Sequence, residues 1–181
     1  SQTFNLKGLK KEVEALFKRV NFTARLADKL RDDAMILAHH RFTVGLSGCI
    51  NGCATPEAKC FGVSGTARPR VTEASCSECF ACVDTCKRGA VLIRDGRPVI
   101  NVNLCDACGQ CVKACPDGTL EFEEKGYKVF VGGRLGRFHQ PGYELFKLVD
   151  QETVLQALAA TLETYLAEAR GDEHISALLN R

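Results

Sequence analysis

Eight cysteines crowded into one short stretch constrain this chain more than any other feature. The stretch reads Cys76-Ser-Glu-Cys79-Phe-Ala-Cys82-Val-Asp-Thr-Cys86, then Cys105-Asp-Ala-Cys108-Gly-Gln-Cys111-Val-Lys-Ala-Cys115-Pro116. Both halves carry the run C-x2-C-x2-C-x3-C, a spacing that holds cubane iron–sulfur clusters through thiolates. The short spacing lets one loop wrap three corners of a cube, while the fourth cysteine points away at the start of a helix. Zinc is the first alternative, but its sites use paired C-x2-C groups without a third cysteine two residues on. Disulfides are the second. They suit small secreted scaffolds, whereas this chain has a separate, cysteine-poor part able to form a core.

The run resembles the cluster-binding sequence of bacterial two-cluster ferredoxins. That resemblance implies that the last cysteine of each run serves the other cluster. Cys76, Cys79, Cys82 and Cys115 would hold one [4Fe–4S] cluster, and Cys105, Cys108, Cys111 and Cys86 the other. An internal repeat agrees, since residues 72–96 and 101–126 align at one constant offset, cysteine on cysteine. In each half a Gly-containing turn leads into a short β-rich run, residues 90–93 and 119–122. Residues 99–102 give a third short strand. Pro116 follows the last cysteine of the second run where Lys87 follows the first, which removes a rigid turn and no ligand.

A chain of 181 residues is one ordinary domain or two small ones, with room for a core outside the cysteine stretch. Its 24 basic and 22 acidic residues are mixed along the sequence, for a formal net charge of +2. No basic stripe or low-complexity tract argues for nucleic acid, and no apolar run is long enough to span a bilayer. No secretory leader is visible, and thiolate ligands for oxygen-sensitive clusters point to the reducing cytoplasm of an anaerobe.

Outside the cysteines the pattern predicts an α+β layer. Residues 6–20 place Leu9, Val13, Leu16, Phe17 and Val20 on one helical face. Thr23 is a candidate N-cap for a second helix with Leu26, Leu30, Ala34 and Leu37 as its stripe. His39 and His40 follow as polar residues at that helix's end, where a cation suits the dipole. Residues 41–46 alternate like a strand, 47–56 form a tight loop or helix start, and 61–67 read as another strand. After the cysteines come a strand over 127–131 and a Gly-rich loop over 132–141. A long helix follows from about 151 to 169, with Val154, Leu155, Leu158, Leu162, Tyr165 and Leu166 inward, then a short helix over 173–180. Without the cysteine segment this leaves helices, three strands and helices. The strand pair around Val63 and Val129 would be continuous but for the insertion.

A second constellation, Gly48-Cys49-Ile50-Asn51-Gly52-Cys53, resembles the G-C-P-N-x-C motif of the siroheme-dependent sulfite and nitrite reductases. The likeness continues in Phe61-Gly-Val-Ser-Gly65, in the loop Val131-Gly-Gly-Arg134-Leu-Gly-Arg137, and in the helix from Gln151. Insertion of a ferredoxin domain at this point resembles the dissimilatory sulfite reductase subunits. The resemblance implies three parts: 1–67 and 126–181 as two pieces of a nitrite/sulfite reductase 4Fe-4S-type domain, and 68–125 as a ferredoxin-like insert. It further implies a siroheme beside a [4Fe–4S] cluster, with Cys49 a cluster ligand and Cys53 the bridging axial ligand. Sulfite or nitrite would be the substrate, and the assembly a homodimer or a complex with a related subunit.

This sequence departs from that family in one respect that matters. The family's cluster needs a C-x5-C pair upstream, and residues 15–21 and their neighbours contain no cysteine. Proline in the motif is Ile50, and Cys60 is a spare thiol. Three readings stay open: a third cluster on Cys49, Cys53 and Cys60 with an external fourth ligand; three buried small hydrophobes at a decayed site; or a missing segment or partner supplying the other pair. Arg68, Arg134 and Arg137 are candidates for binding an anionic substrate or siroheme carboxylates, with solvated surface arginines as the alternative. Two functions compete: a reductase passing electrons through two clusters toward a siroheme centre, and a relay that has lost siroheme and carries electrons between redox partner proteins.

Overall fold

The computed structural model describes residues 4, 6–29, 42–137, 139–170 and 173–181. Helix α1 (Lys7–Arg19) buries Leu9, Val13 and Leu16 of the stripe its sequence predicts, with Phe17 and the following Val20 half-buried against the same core. Helix α2 (Phe22–Lys29) begins one residue before Thr23, so Thr23 lies inside the helix and not at its N-cap. The chain turns through Asn21 in a left-handed conformation instead, and the Asn21 carbonyl accepts from Arg25. The expected positions Leu30, Ala34, Leu37, His39 and His40 lie outside the described residues.

Four strands form the main sheet, in the order β1 (Val44–Ser47), β2 (Phe61–Val71), β5 (Leu120–Val131), β6 (Tyr143–Val149). Strand β1 runs parallel to β2, while β2/β5 and β5/β6 are antiparallel. Val63 pairs with Val129, as the sequence implied. Strand β6 is an addition to the three expected. Its sequence Tyr-Glu-Leu-Phe-Lys-Leu-Val lies at the sheet edge and stays largely exposed, so it lacks the apolar alternation that marks a half-buried strand.

Helices α1, α2 and α5 (Gln151–Glu168) cover one face of this sheet. Val154, Leu158 and Leu162 of α5 meet Phe61, Val63, Val129 and the α1 stripe in one apolar cluster. Phe22, Phe42 and Tyr165 lock the corner, their ring centroids 5.5–6.3 Å apart. Asp150 caps α5 by accepting from the Thr153 N–H at 2.8 Å. Strand β2 is buried along Phe61–Ala67 on both faces. Opposite the helices, a 3-10 turn (Pro56–Ala58) packs so closely that a Cβ on Gly62 would lie 1.9 Å from the Pro56 carbonyl oxygen. The short helix α6 (Ile175–Leu178) closes the chain.

The sheet does not stop where the cysteine segment begins. The ladder between β2 and β5 runs on through a register shift at Arg68/Pro69, where proline has no N–H to give, and ends at Val71 opposite Leu120. The apolar run 119–122 is therefore the first part of β5 and not a separate short strand. Between these ends lie helix α3 (Ala81–Asp84), the hairpin β3 (Val91–Arg94) and β4 (Arg97–Ile100), and helix α4 (Gln110–Ala114). A second small apolar cluster holds this segment together: Cys82, Val91, Cys111 and Leu120. Among the described residues no helix is long and apolar enough to cross a membrane.

Candidate functional site

The two cysteine runs adopt one backbone design twice. Glu78 and Ala107, the residues two after Cys76 and Cys105, both have φ of 53°. Each donates its N–H to the preceding cysteine sulfur, at 3.4 Å in both cases. Phe80 (φ 58°) and Gly109 (φ 70°) then take left-handed conformations that turn the chain into α3 and α4. The third cysteine of each run, Cys82 and Cys111, begins life on these helices and is buried.

Electrostatics sort the thiols into two neighbourhoods. Burial pushes the Cys82 thiol up, and the charges of Cys115 and Cys76 push the same way. Burial likewise raises Cys105, beside Cys108 and Cys86. Cys111 is pushed up to about 12, mainly by burial, with Cys108, Cys105 and Cys86 adding to it. Each neighbourhood thus takes one cysteine from the other run. Cys115 behaves differently: burial alone would raise it, but the N–H groups of Leu120, Asp117 and Thr119 and the Thr119 hydroxyl hold it below the ordinary thiol range. Among the described residues no three His, Cys, Asp or Glu side chains converge as they would around a single metal ion. Cys86, Cys105, Cys108 and Cys111 instead line a cavity of about 350 Å³, shared with Ile50 and Asn51.

Hydrogen bonds tie the segment shut. Ser77 gives its N–H and hydroxyl to Asp117 at 2.9 and 2.6 Å, and Thr119 gives its hydroxyl to the Ser75 carbonyl at 3.1 Å. Arg88 pairs with Asp106 across the two runs at 3.1 Å. The second run is rooted directly on β2, where the Ala67 N–H and the Thr66 hydroxyl both donate to the Ala107 carbonyl. Gly109 sits so close to Phe122 of β5 that a Cβ there would lie 2.5 Å from the ring.

The Gly48–Cys53 loop packs on the same strand. A Cβ on Gly65 would meet the Gly48 carbonyl oxygen at 2.9 Å. Turns from Cys49 to Gly52 and from Gly52 to Thr55 shape the loop, and Ser47 donates to the Cys49 carbonyl at 2.7 Å. Cys49 is half-buried and Cys53 exposed. Cys60 lies elsewhere, in the core, with its sulfur 3.5 Å from Thr43 Oγ1 and 3.3 Å from His174 Nε2. His174 Nδ1 in turn accepts from the Ser176 N–H at 3.1 Å and caps α6. Burial, then the nearby Arg134 charge, lowers the His174 pKa. Nothing in the sequence foretold this pair, whose members lie far apart in the chain.

The three candidate arginines do not gather. Arg68 faces Glu124 at 3.7 Å near the far end of the β2/β5 ladder. Arg134 follows the opposite end, where Phe61 pairs with Val131, roughly 20 Å away at the rise of a strand. Its backbone bridges Gln140, and its Nε is buried without a hydrogen-bond partner among the described residues. Arg137 is exposed.

The chain is 37% identical over 146 residues to the coenzyme F420-dependent sulfite reductase of Methanocaldococcus jannaschii, a match covering 80% of this chain and 23% of that protein. Its fold is similar to that of dissimilatory sulfite reductase I, with a TM-score of 0.55 and 19% identity over 75% of this chain and 39% of that one. The chain spans less than half the length of either relative. The family described as the nitrite and sulphite reductase 4Fe-4S domain matches residues 21–181, from the turn before α2 through the sheet and both cysteine runs to the last residue. It is to this family that the chain belongs.

Proposed function

We propose that the chain is an iron–sulfur electron-transfer domain of a sulfite- or nitrite-reducing oxidoreductase. Its segment 68–125 is a ferredoxin-like two-cluster unit set between the parts 1–67 and 126–181. On this reading Cys76, Cys79, Cys82 and Cys115 hold one [4Fe–4S] cluster, and Cys105, Cys108, Cys111 and Cys86 hold the other. The observation that carries the reading is the cavity ringed by Cys86, Cys105, Cys108 and Cys111, four thiols drawn from both runs.

The donor set fits such a group. Thiolates are its ligands, and the N–H groups of Glu78, Ala107 and Ala90 already point at cysteine sulfurs. When bound, the clusters supply one-electron carriage. The protein's own contribution is burial and hydrogen bonds to sulfur, which set the potential. The raised thiol pKa values of Cys82, Cys105 and Cys111 mean that loading releases protons, since ligating thiols are deprotonated.

On the first reading Cys49 and Cys53 would hold a siroheme/[4Fe–4S] centre, which would supply the reducing chemistry for sulfite or nitrite. A second reading, a relay without siroheme, is favoured by the placement of Cys60, which points into the core toward Thr43 and His174. In both readings the chain works with a redox partner protein or related subunit in the cytoplasm, and a homodimer is one such assembly.

Iron, acid-labile sulfide and extractable siroheme on anaerobically purified protein decide between them. Two cubanes alone give about eight irons per chain, which together with no siroheme assigns the relay. About twelve irons with siroheme assigns the reductase centre to this chain. Protein that takes up zinc and no sulfide overturns both.

A further inference from the structure

Strand β2 carries two loops on one face. Gly65 seats the backbone of Gly48, and Ala67, two residues on, seats the loop of Ala107 and Gly109. Residues i and i+2 of a strand point to the same face, about 7 Å apart. The cysteine cavity is consequently walled in part by Ile50 and Asn51 of the neighbouring loop. The other neighbourhood, with Cys76, Cys82 and Cys115, lies toward the Val71/Leu120 end of the ladder, where Thr72 and Thr119 join it to the sheet. Cys79 and Phe80 are exposed there.

Resting on the function proposed above, we infer that Ile50 and Asn51 are positioning residues for the cluster of Cys86, Cys105, Cys108 and Cys111. That cluster would be the inner one, beside the Cys49/Cys53 loop, and the cluster of Cys76, Cys79, Cys82 and Cys115 the outer one. Asn51 contributes an amide dipole to the wall and Ile50 keeps water from it. Burial and polar contacts are the protein's means of setting a cluster's potential, so each residue acts on the inner cluster alone.

The test is an EPR-monitored redox titration of the whole cluster-loaded chain, native and with Asn51→Leu, Ile50→Ala and Ser77→Ala. Ser77→Ala marks the outer cluster, because it alters the Ser77–Asp117 contact beside Cys76. Asn51→Leu should lower one midpoint and Ile50→Ala should raise that same midpoint, with the midpoint moved by Ser77→Ala untouched by either. Midpoints that ignore both loop substitutions, or a loop substitution that moves the Ser77-marked midpoint, overturn the inference. A native protein with no cubane signal overturns the function it rests on instead, so the two failures are distinct.

Discussion

At the level of single residues, chemistry is decided by a few polar contacts to sulfur and imidazole. Thr119 is fully buried, bonds the Ser75 carbonyl and helps hold Cys115 below its ordinary pKa. Thr119→Val keeps the shape and removes the hydroxyl. The expected cost is about 1 kcal/mol in urea unfolding, with the Cys115 thiol titrating higher in iron-free protein. His174 is held neutral by burial, with Nδ1 accepting at the α6 cap and Nε2–H facing Cys60. Its folded pKa lies below the ordinary 6.5. The stability it contributes is therefore complete above that value and lost as the pH falls through it toward the folded pKa. Urea midpoints measured from pH 8 to pH 5 should decline for the native chain and flatten for His174→Ala.

At the level of elements, close backbone approaches fix how the sheet is covered. Gly133 lies against the 3-10 turn, where a Cβ would sit 2.1 Å from the Glu57 carbonyl oxygen. Gly133→Ala must displace that turn, at a cost of about 2 kcal/mol, seen as a lowered thermal midpoint. Helix α5 offers a milder test. The Thr153 hydrogen bonds hold the Asp150 carboxylate below its usual range, so this cap weakens as the pH falls through the carboxylate range. Asp150→Asn keeps a capping side chain and should remove that acid dependence.

Helix α5 was legible in the sequence because a long apolar stripe repeats over five turns. The β2/β5 pairing was legible because removing the cysteine segment left two apolar runs facing each other. Strand β6 was not, because an exposed edge strand has no buried face to impose alternation. The thiol spacing marked out the two cysteine runs, whereas the wall residues Ile50 and Asn51 and the Cys60–His174 pair depend on what β2 brings together. Local pattern cannot encode those neighbours.

At the level of the whole molecule, two apolar clusters of unequal size share one sheet. The larger joins helices α1, α2, α5 and α6 to β2 and β5, while the smaller buries Cys82, Val91, Cys111 and Leu120. Half of that smaller set is cysteine, so on the proposed cluster ligation the segment's order would lean on the iron its thiols hold. Removal of iron should leave the amides of 61–67 and 126–131 protected in hydrogen exchange and release those of 76–115. Uniform loss of protection would instead mean that the two parts unfold as one.

The long β2/β5 ladder also dictates an order of birth. Its first strand leaves the ribosome long before its second, with all of 72–119 in between, and the central pairing of the sheet must wait for that segment to emerge. Closing so long a loop is entropically slow, and distant pairings lengthen folding times. In the proposed arrangement Cys76 and Cys115 flank the two strand ends and grip one cluster. Cluster insertion would thus draw the ends together and shorten the search, so that iron supply in the cell sets how quickly a new chain matures.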